Sequence, residues 1–138
     1  MSNKPPPRIA YLDGRRLQRL LLAGIARLAA ERRHLDRLNV FPVPDGDTGT
    51  NLALTFSAVG EAVAAATTRH AGELLAVAAD AALDGARGNS GAIFAAWTQG
   101  LAAALAAQAR IDLPALASGL AAAELSARQA LQNPVDGT

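Results

Sequence analysis

The sequence contains no cysteine. That absence excludes disulfides, thiolate metal ligands and cysteine nucleophiles. Aromatic residues make up only 4% of the chain and the formal net charge is +1. No dense Lys/Arg stripe interleaved with aromatics is present, so nucleic acid is not an expected partner. No Ser-His-Asp or Cys-His arrangement stands out, and the only histidines, His34 and His70, read as surface or helix-end residues. Every long apolar stretch is interrupted by Gly, Arg, Gln or Thr, so none makes a membrane span. Met1 to Pro7 is polar and proline-rich and lacks the apolar run of a signal peptide. A soluble, cytoplasmic protein is the expectation.

What remains is aliphatic and small. Hydrophobic residues account for 51% of the 138 positions, much of that share alanine. Alanine has the best helix propensity and lets helices approach closely, so an all-α domain with closely packed helices is expected. Residues 1–10 read as a flexible arm held extended by Pro5, Pro6 and Pro7, and residues 11–138 as one domain. A long helical pattern opens at Asp13, a natural N-cap. Leu17, Leu20, Leu21, Gly24, Ile25, Leu28 and Leu35 follow at spacings of three and four. A second helix is predicted from Asn51 to about Ala66, capped by Thr50 or Asn51 and burying Leu52, Phe56, Val59 and Val63. A third runs from His70 to about Leu83, with Leu74, Leu75 and Val77 inward. A fourth runs from about Ser90 to Ala109, with Trp97 in the core. A fifth follows Asp112 as N-cap, with Pro114 in its first turn, to about Leu131. No alternating β pattern appears.

Two polar, glycine-rich connections interrupt the helices. The first, Asn39 to Thr50, contains Asp45-Gly46-Asp47. Two carboxylates at this spacing can converge on a hard cation, and Mg²⁺ takes oxygen ligands while keeping waters and substrate phosphates in its shell. Asn39 can add a neutral oxygen. The same three residues also make an ordinary turn, because Asp tolerates tight turns and bonds its own backbone. Gly49, Thr50 and Asn51 then place backbone N–H groups at a helix start, where phosphate is favoured. The second connection, Gly85-Ala86-Arg87-Gly88-Asn89-Ser90-Gly91, allows close backbone approach to a ligand and ends in another helix start. Arg87 there either neutralises phosphate or is solvated, and an ordinary capped helix connection reads equally well. Asp36, Asp84, Asp112 and Asp136 read as turn or cap residues. Neither a Walker A loop nor a Rossmann fingerprint occurs.

The segment Leu38 to Asn51, LNVFPVPDGDTGTN, resembles the defining motif of the dihydroxyacetone kinase L-domain (DAK2/DhaL) family. GARGNSG, Gly85 to Gly91, resembles a second family block, and NPVDGT, Asn133 to Thr138, a third. Asn39, and Thr48 in place of a histidine, resemble the fatty-acid-kinase-like branch. The resemblance implies an antiparallel eight-helix barrel with ATP held by loops at one end, here partial because a complete domain continues past Thr138. Such a partial barrel would expose apolar interior surface. It implies an enzyme, a Mg-ATP-dependent kinase domain, with Asp45 and Asp47 as catalytic metal ligands beside Asn39. Thr48, Gly49, Thr50, Asn51, Arg87, Gly88, Asn89, Ser90 and Gly91 are implied to face the nucleotide. The implied acceptor is a fatty acid presented by an acyl-binding partner protein, giving an acyl phosphate. The alternatives are dihydroxyacetone on a substrate-binding partner, or a non-catalytic nucleotide-binding or scaffold module. A homo-oligomer is compatible with all three.

Overall fold

A computed structural model describes residues 8–40 and 44–131. The arm before Arg8, the segment 41–43 and the third block, Asn133 to Thr138, lie outside the described residues. Six α-helices are present among those described: α1 (Gly14–Ala30), α2 (Arg32–Leu38), α3 (Thr48–Ala65), α4 (Ala71–Gly85), α5 (Gly88–Leu105) and α6 (Leu113–Gln129). The all-α expectation holds at that level, and these six helices do not close an eight-helix barrel. One small addition was not expected. Two-residue strands β1 (Leu12–Asp13) and β2 (Arg110–Ile111) pair antiparallel, Leu12 opposite Ile111. Ile111 is buried, so this pairing pins the approach to α6 onto the start of α1.

The first helix is shorter than the leucine pattern suggests. It ends at Ala30, and α2 carries Leu35 separately. Within α1 the predicted apolar face is only partly inward: Leu17 is buried, whereas Leu20 and Gly24 are exposed. The core lies mainly around α4, whose Leu74, Leu75, Ala78, Ala79 and Ala82 are all buried. Val59 and Val63 of α3, and Leu101 and Leu105 of α5, close around it. Leu52, Val77 and Trp97 are half-buried. Trp97 stacks on Phe94 at 6.0 Å, and Phe94 in turn meets Phe56 at 4.3 Å. Small residues set the spacing of α5 and α6. A Cβ on Gly100 would meet the Ser126 Cβ at 2.5 Å, closer than non-bonded carbons tolerate.

The helices gather into two ends. At one, the Gly14 amide donates to the Arg69 carbonyl (2.8 Å), and the first amides of α4 reach the turn after α5, Ala71 to Ala109 and Gly72 to Gln108. The helix starts at this end are closed by local side chains. Asp13 accepts from the Arg16 amide, His70 from Glu73 and Asp112 from Ala115. The other end collects α2 and the starts of α3 and α5, where both glycine-rich connections lie. Each end of α3 is completed by a different helix. Gln18 of α1 donates to the Val63 and Ala66 carbonyls at its C-terminus (2.7 and 3.0 Å). The last carbonyls of a helix lack their full set of partners within it, and Val63 also accepts from the Ala66 amide (3.2 Å). Exposed large aliphatics are distributed over α1, α2, α3, α4 and α6. Among the described residues, no helix is long and apolar enough to cross a membrane.

Candidate functional site

The first connection folds into α3 earlier than the sequence suggests. The helix starts at Thr48, with Asp47 at the N-cap making no side-chain cap bond. Thr50 and Asn51 therefore lie inside the first turn and do not cap it. Gly46 turns the chain through φ +69° ahead of this start, a region that glycine enters without steric cost. Asp45 and Asp47 are both exposed on either side of that turn. Asn39 reaches across to them. Its Nδ2 donates to Asp45 Oδ1 (3.1 Å), and its Oδ1 accepts from the Thr48 hydroxyl. Asn39 thus orients the Asp45 carboxylate, because a carboxylate requires a donor opposite it and the amide nitrogen supplies one.

At the α3 start, two of the amides expected to face phosphate are already bonded within the protein. The Thr50 amide donates to Asp36 Oδ1 (2.8 Å), and the Thr50 hydroxyl to Asp36 Oδ2 (2.9 Å). The Asn51 amide has already joined the helix ladder, donating to the Asp47 carbonyl (2.8 Å). An internal carboxylate, placed there by α2, therefore takes the role a phosphate was expected to take. The Thr50 bonds, with help from the Gly49 amide and Arg32, hold the Asp36 carboxyl below its ordinary range against a partial desolvation cost. Asp36 was read as a local turn or cap residue. It is the cap of a different helix, 14 residues on.

The second connection enters α5 at Gly88, two residues before the expected start, with Arg87 as an N-cap that makes no side-chain cap bond. Its helix also ends at Leu105 instead of Ala109. Gly88 adopts φ +62°. The glycines of this connection were expected to let backbone approach a ligand, but what they approach is α3. A Cβ on Gly88 would run into the Asn51 amide, with Asn51 Cγ at 2.8 Å. One on Gly91 would run into the Thr55 hydroxyl, and one on Gly85 would lie 2.5 Å from the Ala58 Cβ. Thr55 is fully buried. Its hydroxyl donates to the Asn51 carbonyl (2.9 Å) and accepts from the Arg87 amide (3.1 Å). The two motifs, far apart in sequence, therefore meet along the first two turns of α3. Thr55 was missing from the sequence reading because a buried threonine on an apolar helix face carries no local signal of a partner 32 residues away.

The start of α5 remains the more open of the two. Asn89 is exposed and Ser90 half-buried, and the Gly91 amide is already bonded to the Arg87 carbonyl. The first amides of a helix have no partner within it, and the dipole adds positive charge there. The Arg87 guanidinium is exposed and bends back onto the Ala86 carbonyl (3.0 Å). Among the described residues no group of three or more His, Asp or Glu side chains is placed to hold a metal. Mg²⁺ is commonly held by one or two carboxylates together with waters and phosphate oxygens, and Asp45 and Asp47 are the exposed carboxylates on this turn.

Comparison with known proteins finds both motifs within one family match. Protein YloV of Bacillus subtilis is 37% identical over 130 residues, covering 94% of this chain and 24% of its own length. Uncharacterized proteins SSP1546 of Staphylococcus saprophyticus and SAUSA300_1119 of Staphylococcus aureus are each 35% identical over the same lengths and shares. The chain thus spans about a quarter of the length of these relatives. Residues 42–138, which include both Asp45-Gly46-Asp47 and the α5 start, match the DAK2 domain. The chain belongs to the DAK2 domain family.

Proposed function

We propose that this chain is a Mg-ATP-binding module, with its metal on the Asp45-Gly46-Asp47 turn and the nucleotide phosphates on the start of α5. The observation that carries this reading is the meeting of the two motifs through Asn51, Thr55, Arg87 and Gly88. Without that meeting, a carboxylate pair and a helix start would be unrelated features. Bound Mg²⁺ supplies neutralisation of phosphate charge. Asp45 and Asp47 provide its anionic oxygens. Asn39, whose Nδ2 donates to Asp45, would add a neutral oxygen to the cation with its amide turned, Nδ2 then donating to Thr48. Gly88, Asn89 and Ser90 offer amides to phosphate, and Arg87 offers charge once released from Ala86. At the α3 start Thr48, Gly49, Thr50 and Asn51 shape the pocket wall, and the Asp36 carboxylate keeps phosphate off the Thr50 amide.

Phosphoryl transfer is the further reading, and the resemblance of Asn39 and Thr48 to the fatty-acid-kinase-like branch favours it. On that reading the acceptor is a fatty acid presented by an acyl-binding partner protein. Such a reaction depends on positioning and charge neutralisation more than on a protein nucleophile. Dihydroxyacetone as acceptor, or nucleotide binding without transfer, uses the same module.

Manganese titration followed by electron paramagnetic resonance tests the metal assignment directly. Asp45→Asn and Asp47→Asn are each expected to weaken Mn²⁺ binding at least about tenfold, roughly the loss of one charge-assisted ligand, with helix content unchanged. Unaltered Mn²⁺ affinity in both variants places the ion elsewhere.

A further inference from the structure

Thr55 and Thr98 are the two buried polar side chains among the described residues, and their comparison separates a general role from a specific one. Each lies on a helix face, and each donates its hydroxyl to the carbonyl four residues back: Thr55 to Asn51 (2.9 Å), Thr98 to Phe94 (2.8 Å). That bond is the usual way for threonine to satisfy itself within a helix. Only Thr55 is recorded with a second bond, accepted from the Arg87 amide of another element. Arg87 is the N-cap residue of α5, and the same hydroxyl occupies the space a side chain on Gly91 would need.

Resting on the reading above, we infer that Thr55 is a positioning residue that fixes the start of α5 against the first turn of α3, setting the distance between the metal turn and the phosphate amides. Among the described residues, the hydroxyl is the one joint between the two loops that uses a side chain as both donor and acceptor. Its donated bond ends on Asn51, in the turn that begins at Asp47. Its accepted bond begins on Arg87, one residue before the Gly88-Asn89-Ser90 amides. Nothing in this arrangement requires Thr55 to touch a ligand. It acts through the backbone of two loops that do.

Thr55→Val keeps the shape and removes both bonds, Thr55→Ser keeps the hydroxyl, and Thr98→Val removes only a within-helix bond. In the ligand-free chain, Thr55→Val is expected to speed exchange of the Arg87 amide about tenfold, the scale of one lost bond to a buried acceptor. Its resonance changes should extend across Gly88–Gly91 and Asp47–Asn51. Affinity for a non-hydrolysable ATP analogue with Mg²⁺ should fall about tenfold, while Mn²⁺ binding in the absence of nucleotide stays at the parent value. Thr55→Ser should restore both, and Thr98→Val should disturb neither. Parent-like Arg87 exchange in Thr55→Val, or equal effects from Thr98→Val, overturns the inference. Should Thr55→Val fail to fold, Gly91→Ala displaces the same hydroxyl, and an unchanged Arg87 amide there overturns it equally. Should the parent chain bind no Mg-nucleotide, the module reading fails, while the ligand-free exchange data still decide the role of Thr55.

Discussion

Asp36 shows how one side chain decides what a helix start can do. Its carboxylate closes the α3 N-terminus by two bonds to Thr50, while Asp13 closes α1 through the Arg16 amide. Both carboxyls are held below the ordinary value of 3.8, each chiefly by a backbone N–H, that of Thr50 for Asp36 and of Arg16 for Asp13. A carboxyl depressed on folding contributes stability that is present above its unfolded pKa and is lost as pH falls through the folded one. Melting temperatures should therefore hold through mildly acidic pH and fall only below the ordinary carboxyl range. Asp36→Asn should lower the melting temperature at neutral pH and make the acid loss shallower, since the titrating group is gone and Asp13 remains. An acid limb identical to the parent's would show that Asp36 does not carry this contribution. Asp13 and Asp112 were legible as caps because each reaches an amide three residues on, a relation written in local sequence; His70, read as a helix-end residue, caps α4 in the same way. Asp36 and Thr55 were not, because their partners are fixed by how helices pack.

At the scale of elements, helix existence was legible and helix edges were less so. The break between α1 and α2 falls at Ala30-Glu31-Arg32, residues with good helix propensity and no glycine or proline to announce an end. Conversely, Gly49 and Gly88 argued against helix in the two connections, yet both sit in first turns. Packing outweighs propensity at these places. A Cβ on Gly49 would fall on the Arg32 carbonyl, with Leu35 Cβ 2.9 Å away, whereas nothing lies within 4 Å of one on the exposed Gly24. Alanine ordinarily stabilises a helix interior over glycine by about 0.5–1 kcal/mol, and overpacking costs about 1–3 kcal/mol. Gly24→Ala should therefore stabilise the protein and Gly49→Ala destabilise it, as read by denaturant melts of the two variants. Equal stabilisation by both would mean that α2 does not press on α3 at Gly49.

The molecule as a whole divides its labour between two ends. One end is closed by local caps and by the β1–β2 pair. The other gathers α2 and two helix starts without side-chain caps of their own, with Asp45 and Asp47 exposed beside them. This division was only half visible in the sequence. The two motifs could be recognised one by one, but their contact depends on how the start of α5 packs against α3, which periodicity does not state. Exposed large aliphatics lie singly on α1, α2, α3 and α4, and three of them, Leu113, Leu120 and Leu125, lie on α6. Relatives that are about four times as long as the matched region make the acceptor and any partner matters for the longer proteins. Metal and nucleotide can be tested on this chain. Calorimetric titration with a non-hydrolysable ATP analogue, with and without Mg²⁺, does so most directly. Saturable binding that requires Mg²⁺ and is lost in Asp45→Asn is the expected result, and binding that is absent, or indifferent to Mg²⁺, contradicts a Mg-ATP site formed by the two joined motifs.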